Sequence, residues 1–532
     1  MKKILYIFMI LPLICFEIVI RKLDLNKIKF YEATYTMNSK STKKITDYSS
    51  FLNINIFLNI DINLINDNYY NANLDVVEKI GLLDRFDNVY ISSYSPIVTI
   101  TIDGYDKVID SLSSSIYINK IDVVQNNVDS TYNFSPNNYN NMSSNVNSDH
   151  RNENINKNNN RNSNEEKVKV AILEFYNIQQ NNYINCEVIT LPQNPVYDPT
   201  NDMHKLNVGV TLYNTFSNII IYDVASSHYN YNYITILDLL VSNNIHLATM
   251  SYGGNVCQTY VEEEQIFDYY ISNYNISITK SASNDSEETT PGGAYNIFSV
   301  GSAYSNNDIS FCQSEDTYEC PYNDKPNILA IGNSPLNPYQ YVTSYATPRF
   351  AGNIANLIYL HNNLLENPEL IMAVFSATAD IEEFKLNGYN TFSSNGMEDK
   401  CGAGLSNIAS ALSVVNNNYY GYGSIYSPRE TSLINRNISL ASGQEITICL
   451  VTPKKNFISS TTGNININVN IPNFSIKLTK NNILINEVKS SSPVKILRYT
   501  ATSTENITLS IIYPGYQTYS NTADYAYAFI IR

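Results

Sequence analysis

Between Lys167 and about Tyr419 the chain repeats one pattern: a short apolar run, then a stretch with helical spacing. The runs "KVKVAILEF", "NIIIYDVAS", "IHLATMSYG", "ISITKSAS", "AYNIFSVGSA" and "NILAIG" alternate with "VGVTLYNTF", "ITILDLLVSNN" and "FAGNIANLIYLHNNL". Strands apolar along their whole length are covered on both faces, and strands separated by helices pair in parallel. The pattern predicts an α/β domain over 167–419, built on a parallel sheet with helices on both faces. In such a sheet ligands gather at the carboxyl ends of the strands.

The remaining sequence needs other solutions. With 532 residues and 43% hydrophobic content the chain exceeds one ordinary core, so several domains are expected. Residues 21–125 hold "FLNINIFLNI", "VYISSYSPIVTITIDG" and "YDKVIDSLSSSIYINKIDVVQ", which fit a small α+β module. Residues 126–166 are almost wholly polar and Asn/Ser-rich. Such a segment buries too little apolar surface to offset the entropy of ordering, and a disordered linker is expected there. After "YYGYGS" only strand patterns follow, among them "QEITICLVTP", "FSIKLTKN", "ENITLSIIYP" and "YAYAFIIR", and residues 425–532 read as a β-sandwich.

At the N-terminus Lys2 and Lys3 precede an apolar run from Ile4 to Ile20, broken only by Glu17. Residues 1–20 are therefore expected to act as a signal peptide or as an N-terminal membrane anchor through residues 4–20, and the protein to be secreted or held at the cell surface. Beyond Cys15, six of the seven cysteines remain, an even number that an oxidising compartment could pair. Cys312 and Cys320 are the candidate bridge, with scattered unpaired thiols as the alternative. A net charge of −15 argues against a nucleic-acid partner, whose phosphates require a positive face.

Within the α/β region, chemistry-bearing residues fall where strands end or helices begin. Glu174 closes the first strand, and His204 precedes an apolar helix that contains Gly209. The next strand runs out at Ser251, Tyr252, Gly253 and Gly254, an edge suited to an extended peptide, and "ISITKSASNDS" ends a strand at Asn284. In "VTSYATPRFAG", Ser344 stands just before a helix, with Pro348 in the first turn and Ala351 and Gly352 permitting close packing. Each residue has a bland alternative: a helix-capping serine, a turn asparagine, a loop histidine, a carboxylate capping a turn. "EEE" at Glu262 to Glu264 reads as a solvated helix face.

Taken in order, the acid, "H…VG", "MSYGG", "SN", "TSYATP…AG" and the closing "CGAGLSNIASAL" resemble the subtilisin-like serine proteases, the subtilases. The resemblance implies a subtilisin-like α/β fold and a serine endopeptidase acting on protein or peptide substrates. It assigns Ser344 as nucleophile, His204 as general base, Glu174 as the orienting acid and Asn284 as an oxyanion donor, with Ser251 to Gly254 binding substrate. It further implies that the N-terminal module is a propeptide, an intramolecular inhibitor removed from a zymogen, with cleavage near Lys167. Calcium sites occur in the family, but no acidic loop here assigns one, so no cofactor is expected. The departures are Glu174 in place of Asp, Lys205 and Leu206 after the histidine, Ser283 before Asn284, Val342 in place of Gly, and Arg349 in place of a frequent His. They leave open an alternative, a catalytically impaired subtilase serving as a binding or regulatory surface protein. A weaker third class is an adhesin working through the C-terminal sandwich.

Overall fold

The computed structural model describes residues 51–58, 60, 69–83, 86, 89–103, 112, 118–124, 167–175, 178, 183–191, 202–226, 232–254, 257, 259–284, 288–304, 309–311, 323–336, 341–427, 429–458, 465–466, 471–515 and 522–532. Residues 1–50, the stretch 126–166 expected to be a disordered linker, and the candidate Cys312 and Cys320 bridge lie outside these residues. The chain divides into two compact units, one made of 1–126, 229–239 and 456–468, the other of 127–228, 240–455 and 469–532.

In the first unit, strand β1 (Phe51–Leu58), helix α1 (Tyr70–Lys79) and strands β2 (Val89–Ile91), β3 (Ile97–Asp103) and β4 (Ile118–Val124) form an α+β module. Its sheet has the order β2-β3-β1-β4 and is antiparallel throughout. The period of two in "INIFL" drives the packing. Ile54, Ile56 and Leu58 join Val98 and Ile100 in a core with Ala72, Val76 and Val77 of α1. Asn55 is buried among other partners: it accepts from Thr99 Oγ1 at 2.7 Å and donates to Tyr233 Oη at 2.8 Å. Asp238, also in this unit, accepts from Tyr90 Oη at 2.7 Å and Ser92 Oγ at 3.2 Å.

The second unit is built on the predicted parallel sheet. In chain order it contains β5 (Val168–Phe175), β6 (Glu187–Thr190), α2 (Asp202–Thr215), β7 (Ile219–Ser226), α3 (Tyr233–Ser242, shared with the first unit), β8 (Leu247–Met250), α4 (Glu262–Tyr274) and β9 (Ser277–Ser281). Then follow β10 (Phe298–Ala303), β11 (Ile309–Phe311), β12 (Ile328–Ile331), α5 (Thr343–Leu360), α6 (Pro368–Thr378), α7 (Glu382–Leu386) and α8 (Ile408–Asn416). The sheet order is β11-β10-β9-β8-β5-β7-β6 with β12 beside β10, and every pairing is parallel except that of β11. Every residue of β8, β9 and β10 is buried, so both faces of the sheet are covered there. From β5 the chain goes out to β6, returns to β7, and then crosses to β8 on the other side of β5. The winding direction reverses at β5, and this reversal opens a crevice at the carboxyl ends of β5 and β8.

Helices α2 and α5, which carry His204 and Ser344, approach closely because position 352 is glycine. A Cβ there would lie 2.7 Å from the Cβ and Cγ2 of Thr215. Gly352→Val is expected to overpack this contact and cost about 1–3 kcal/mol. The check is a urea titration, in which the midpoint falls with the slope unchanged.

After α8 the chain becomes all-β: β13 (Tyr420–Ile425), β14 (Thr431–Leu440), β15 (Glu445–Val451), the short pair β16 (Phe457–Ile458) and β17 (Ile465–Asn466), β18 (Ser475–Lys480), β19 (Ile483–Lys489), β20 (Val494–Thr500), β21 (Glu505–Tyr513) and β22 (Ala523–Ile531). Antiparallel sheets β13-β22-β15-β20 and β14-β21-β18-β19 enclose a core that includes Ile448, Ile476, Leu509 and Phe529. The first sheet has a second buried face. Cys449, Val451, Ile496, Ala526 and Ala528 belong to the same core as Ala373 and Val374 of α6. Arg498 also donates to the carbonyls of Gly396 at 2.7 Å and Ala403 at 3.2 Å. The sandwich therefore contributes to the stability of the α/β region instead of hanging from it.

Candidate active site

Five segments converge at the β5/β8 crevice. Glu174 is the penultimate residue of β5, and its side chain is 2% exposed. Oε1 accepts the Ser251 N–H at 2.8 Å, and Oε2 lies 3.7 Å from His204 Nδ1, just beyond hydrogen-bond range. Burial is the main effect on both groups. It pushes the Glu174 carboxyl up to about 7, against the opposing pull of Lys205 and the Ser251 N–H. It lowers the His204 imidazole to about 4, so the ring is neutral at neutral pH and able to take a proton.

His204 differs from the expectation of a residue ahead of the helix. Helix α2 begins at Asp202, which puts the histidine inside the first turn. "NDM" has no apolar periodicity, so the start of the helix left no mark in the sequence. The imidazole is a quarter exposed and sits beside Tyr345, ring centroids 6.1 Å apart.

Ser344 likewise lies within a helix, as the second residue of α5, with Val342 as N-cap. The first N–H groups of a helix have no intrahelical acceptor, and here each has a distinct fate. Thr343 N–H goes to Asn284 Oδ1 at 2.9 Å, while the N–H groups of Tyr345 and Ala346 go to Val342 O at 3.2 and 3.3 Å. Among the described residues the Ser344 N–H has no acceptor, so a helix-start donor stands beside the hydroxyl Oγ. Oγ itself donates to Ser251 O at 3.3 Å and makes no hydrogen bond to His204.

Pro348 falls in the second turn, not the first, and this has a consequence. Lacking an N–H, it cannot bond the carbonyl four residues back, which is that of Ser344. Ser251 Oγ donates to that carbonyl at 2.9 Å. Ser251, expected only to bind substrate, thus holds Glu174 with its N–H and the Ser344 backbone with its hydroxyl. Nothing in "MSYGG" distinguishes this role from the expected one.

Asn284 is also held. Thr343 donates to its Oδ1 twice, from N at 2.9 Å and Oγ1 at 2.8 Å, which fixes the amide plane. The preceding Ser283 has φ of 78°, a left-handed conformation uncommon outside glycine and costly enough to mark a constrained position. Gly253 and Gly254 run against the segment after Asn284. The Gly254 N–H bonds Thr290 O at 2.8 Å, and a Cβ on Gly253 would lie 1.9 Å from Thr289 Oγ1. Tyr252, the other expected substrate contact, is half-buried on the same edge.

The departures resolve individually. Val342 has φ of −147° and ψ of 157°, extended backbone open to any residue, so no glycine is required for the turn. Close approach is supplied from the other side by Gly332, where a Cβ would lie 2.6 Å from Val342 O. Arg349 reaches Asn333, bonding its Oδ1 at 2.7 Å, and so has a structural partner. Lys205 is buried and paired with Asp223 of β7 at 2.5 Å, a partner eighteen positions away that leaves no mark in the local sequence. The reading of Glu264 as solvated is corrected. It is fully buried, and its Oε2 accepts the Val261 N–H at the start of α4.

Among the described residues no cluster of three His, Cys, Asp or Glu side chains could hold a metal ion, and no helix is long and apolar enough to cross a membrane. Cys186 and Cys449 are unpaired thiols.

Comparison with known proteins gives one family match: the model of the Subtilase family covers residues 200–423, which takes in His204, Ser251 to Gly254, Asn284 and Ser344 and begins downstream of Glu174. No curated protein matches the chain. Among solved structures, the prenylagaramide maturation protease PagA is similar at 18% identity over 47% of this chain and 94% of its own, with a TM-score of 0.35. The epidermin leader peptide processing serine protease EpiP from Staphylococcus aureus is similar at 13% identity over 69% of this chain and 99% of its own, with a TM-score of 0.41. The psychrophilic subtilisin-like protease Apa1 from Pseudoalteromonas sp. AS-11 is similar at 13% identity over 48% and 94%, with a TM-score of 0.34. These likenesses stand beside the family match and add nothing to it. The motif order and the model match agree: residues 200–423 match the model of the Subtilase family.

Proposed function

We propose that the protein is an exported serine endopeptidase in which Ser344, His204 and Glu174 act as nucleophile, general base and orienting acid. The observation that carries this is the donor at the start of α5. The Ser344 N–H, without an acceptor among the described residues, lies on the same residue as the attacking hydroxyl, and Asn284 is clamped to the adjacent Thr343. Together they supply two donors to the oxyanion of a tetrahedral intermediate.

For attack, Ser344 Oγ turns from Ser251 O toward the imidazole, which takes its proton and later passes it to the leaving amine. Glu174 closes from 3.7 Å on Nδ1 as the imidazolium forms. Catalytic hydrogen bonds are often long in unliganded sites and tighten with substrate. Asn284→Leu is expected to lower kcat by about 100- to 1000-fold with little change in KM, because the lost donor acts on charge that develops only in the transition state. Steady-state kinetics on a peptide substrate check it.

The same proposal covers export through residues 1–20, location outside the cell or at its surface, and synthesis as a zymogen whose N-terminal module inhibits the site until removed. No cofactor is required. A specific observation favours a second reading, a subtilase scaffold without turnover: Ser344 Oγ is bonded to Ser251 O and not to His204. Incubation of the purified protein with denatured casein separates the two. Progressive cleavage supports the endopeptidase, and intact casein beside well-folded protein supports the scaffold.

A further inference from the structure

Helix α2 places a second charged group beside the triad. Lys205 directly follows His204 in the chain, and its ammonium is fully buried against Asp223 Oδ1 at 2.5 Å. Asp223 is itself fixed from its other oxygen by the Ile178 N–H at 2.7 Å. Strands β5 and β7 pair with Ile172 opposite Asp223, so the ion pair lies one pleat below Glu174 on the neighbouring strand. The charged and titratable groups that act on Glu174 are therefore His204 and Lys205 from α2 and Asp223 from β7, joined by the Ser251 N–H from the end of β8.

These groups present two buried carboxylates and one buried ammonium. A buried carboxylate remains ionised only where opposite charge or donors offset its desolvation. We infer that Lys205 and Asp223 are positioning residues of the triad, a fixed pair whose balance of charge sets how readily Glu174 ionises beside His204. The inference rests on the serine-protease function proposed above. Consistently, Lys205 pulls the Glu174 carboxyl down and Asp223 pushes it up. Neither residue touches substrate or the reacting atoms.

The experiment is the pH dependence of fluorophosphonate labelling rate on the full chain, wild type against three variants, with thermal melts alongside. Lys205→Met is expected to move the acid limb to higher pH by about one unit, a roughly tenfold loss of rate on that limb. Asp223→Asn leaves the full charge of Lys205 acting on Glu174 and is expected to move the limb the opposite way. Lys205→Arg keeps the charge and is expected to keep the wild-type profile. A pair that only holds α2 to β7 would lower the melting temperature and leave every limb in place, and that outcome overturns the inference. Should Lys205→Met not fold, Asp223→Asn decides alone, since Asn retains an oxygen for the Ile178 N–H. Absence of wild-type labelling at any pH removes the protease function and this inference with it. Labelling with an unmoved limb removes the inference only.

Discussion

Replacing Ser344 by alanine is expected to lower peptide hydrolysis by about a million-fold while leaving the melting temperature near that of the wild type. On the proposed mechanism the loss is large because the hydroxyl acts as the nucleophile, and without it His204 and Glu174 have nothing to activate. The fold is expected to survive because the start of α5 is held by groups other than Oγ: the Thr343 bonds to Asn284, the Tyr345 and Ala346 bonds to Val342 O, and the Ser251 hydroxyl on the Ser344 carbonyl. Only the 3.3 Å bond from Oγ to Ser251 O is lost. A residual rate above the uncatalysed one remains from the oxyanion donors and substrate binding. Activity within tenfold of wild type would place the nucleophile elsewhere.

Glu174→Gln is expected to cost about 10,000-fold in kcat, the scale seen when an orienting carboxylate becomes a neutral amide. The amide oxygen can still accept the Ser251 N–H, so geometry is kept while the charge that stabilises the imidazolium is removed. The same variant carries a stability signature. The Glu174 carboxyl is raised from 4.5 to about 7 in the folded protein. Its contribution is therefore fully present below about pH 4.5 and is lost as pH rises through 7, because the unfolded chain releases the proton more readily. Glutamine does not titrate. The variant should gain on the wild type between pH 5 and pH 8, by an amount of the order of 3 kcal/mol at one pH unit per 1.36 kcal/mol. Melting curves of the two proteins across that range check it, and curves that stay parallel would mean that Glu174 is not held in a desolvated site.

For the wild-type enzyme the same value predicts an acid limb governed by Glu174. Activity should rise with pH through about 7, since the ionised carboxylate is the competent form and the imidazole, lowered to about 4, is already neutral.

What the sequence made legible is what periodicity and turn chemistry encode. Continuous apolar runs marked β5, β7, β8, β9, β10 and β12, and the small residue Gly352 marked a place of close packing, which the structure puts against Thr215 of α2. The order of motifs pointed to the family whose model matches residues 200–423. Polar contacts between residues far apart in the chain left no such trace. Lys205 finds Asp223 eighteen positions away, and Ser251 reaches Glu174 and Ser344 across 77 and 93 positions. Strands β14 and β19 also escaped, because their exposed faces interrupt the apolar alternation. Val342 misled for a different reason: the approach expected of a glycine at that site is supplied by Gly332.

The direct test of Ser344 as an activated nucleophile is fluorophosphonate treatment of the purified protein at pH 8, followed by digestion and peptide mass spectrometry. One stoichiometric adduct is expected on the peptide containing Ser344, lost on prior denaturation and absent from Ser344→Ala. An unmodified Ser344 in folded protein, or equal labelling of the alanine variant, would contradict it.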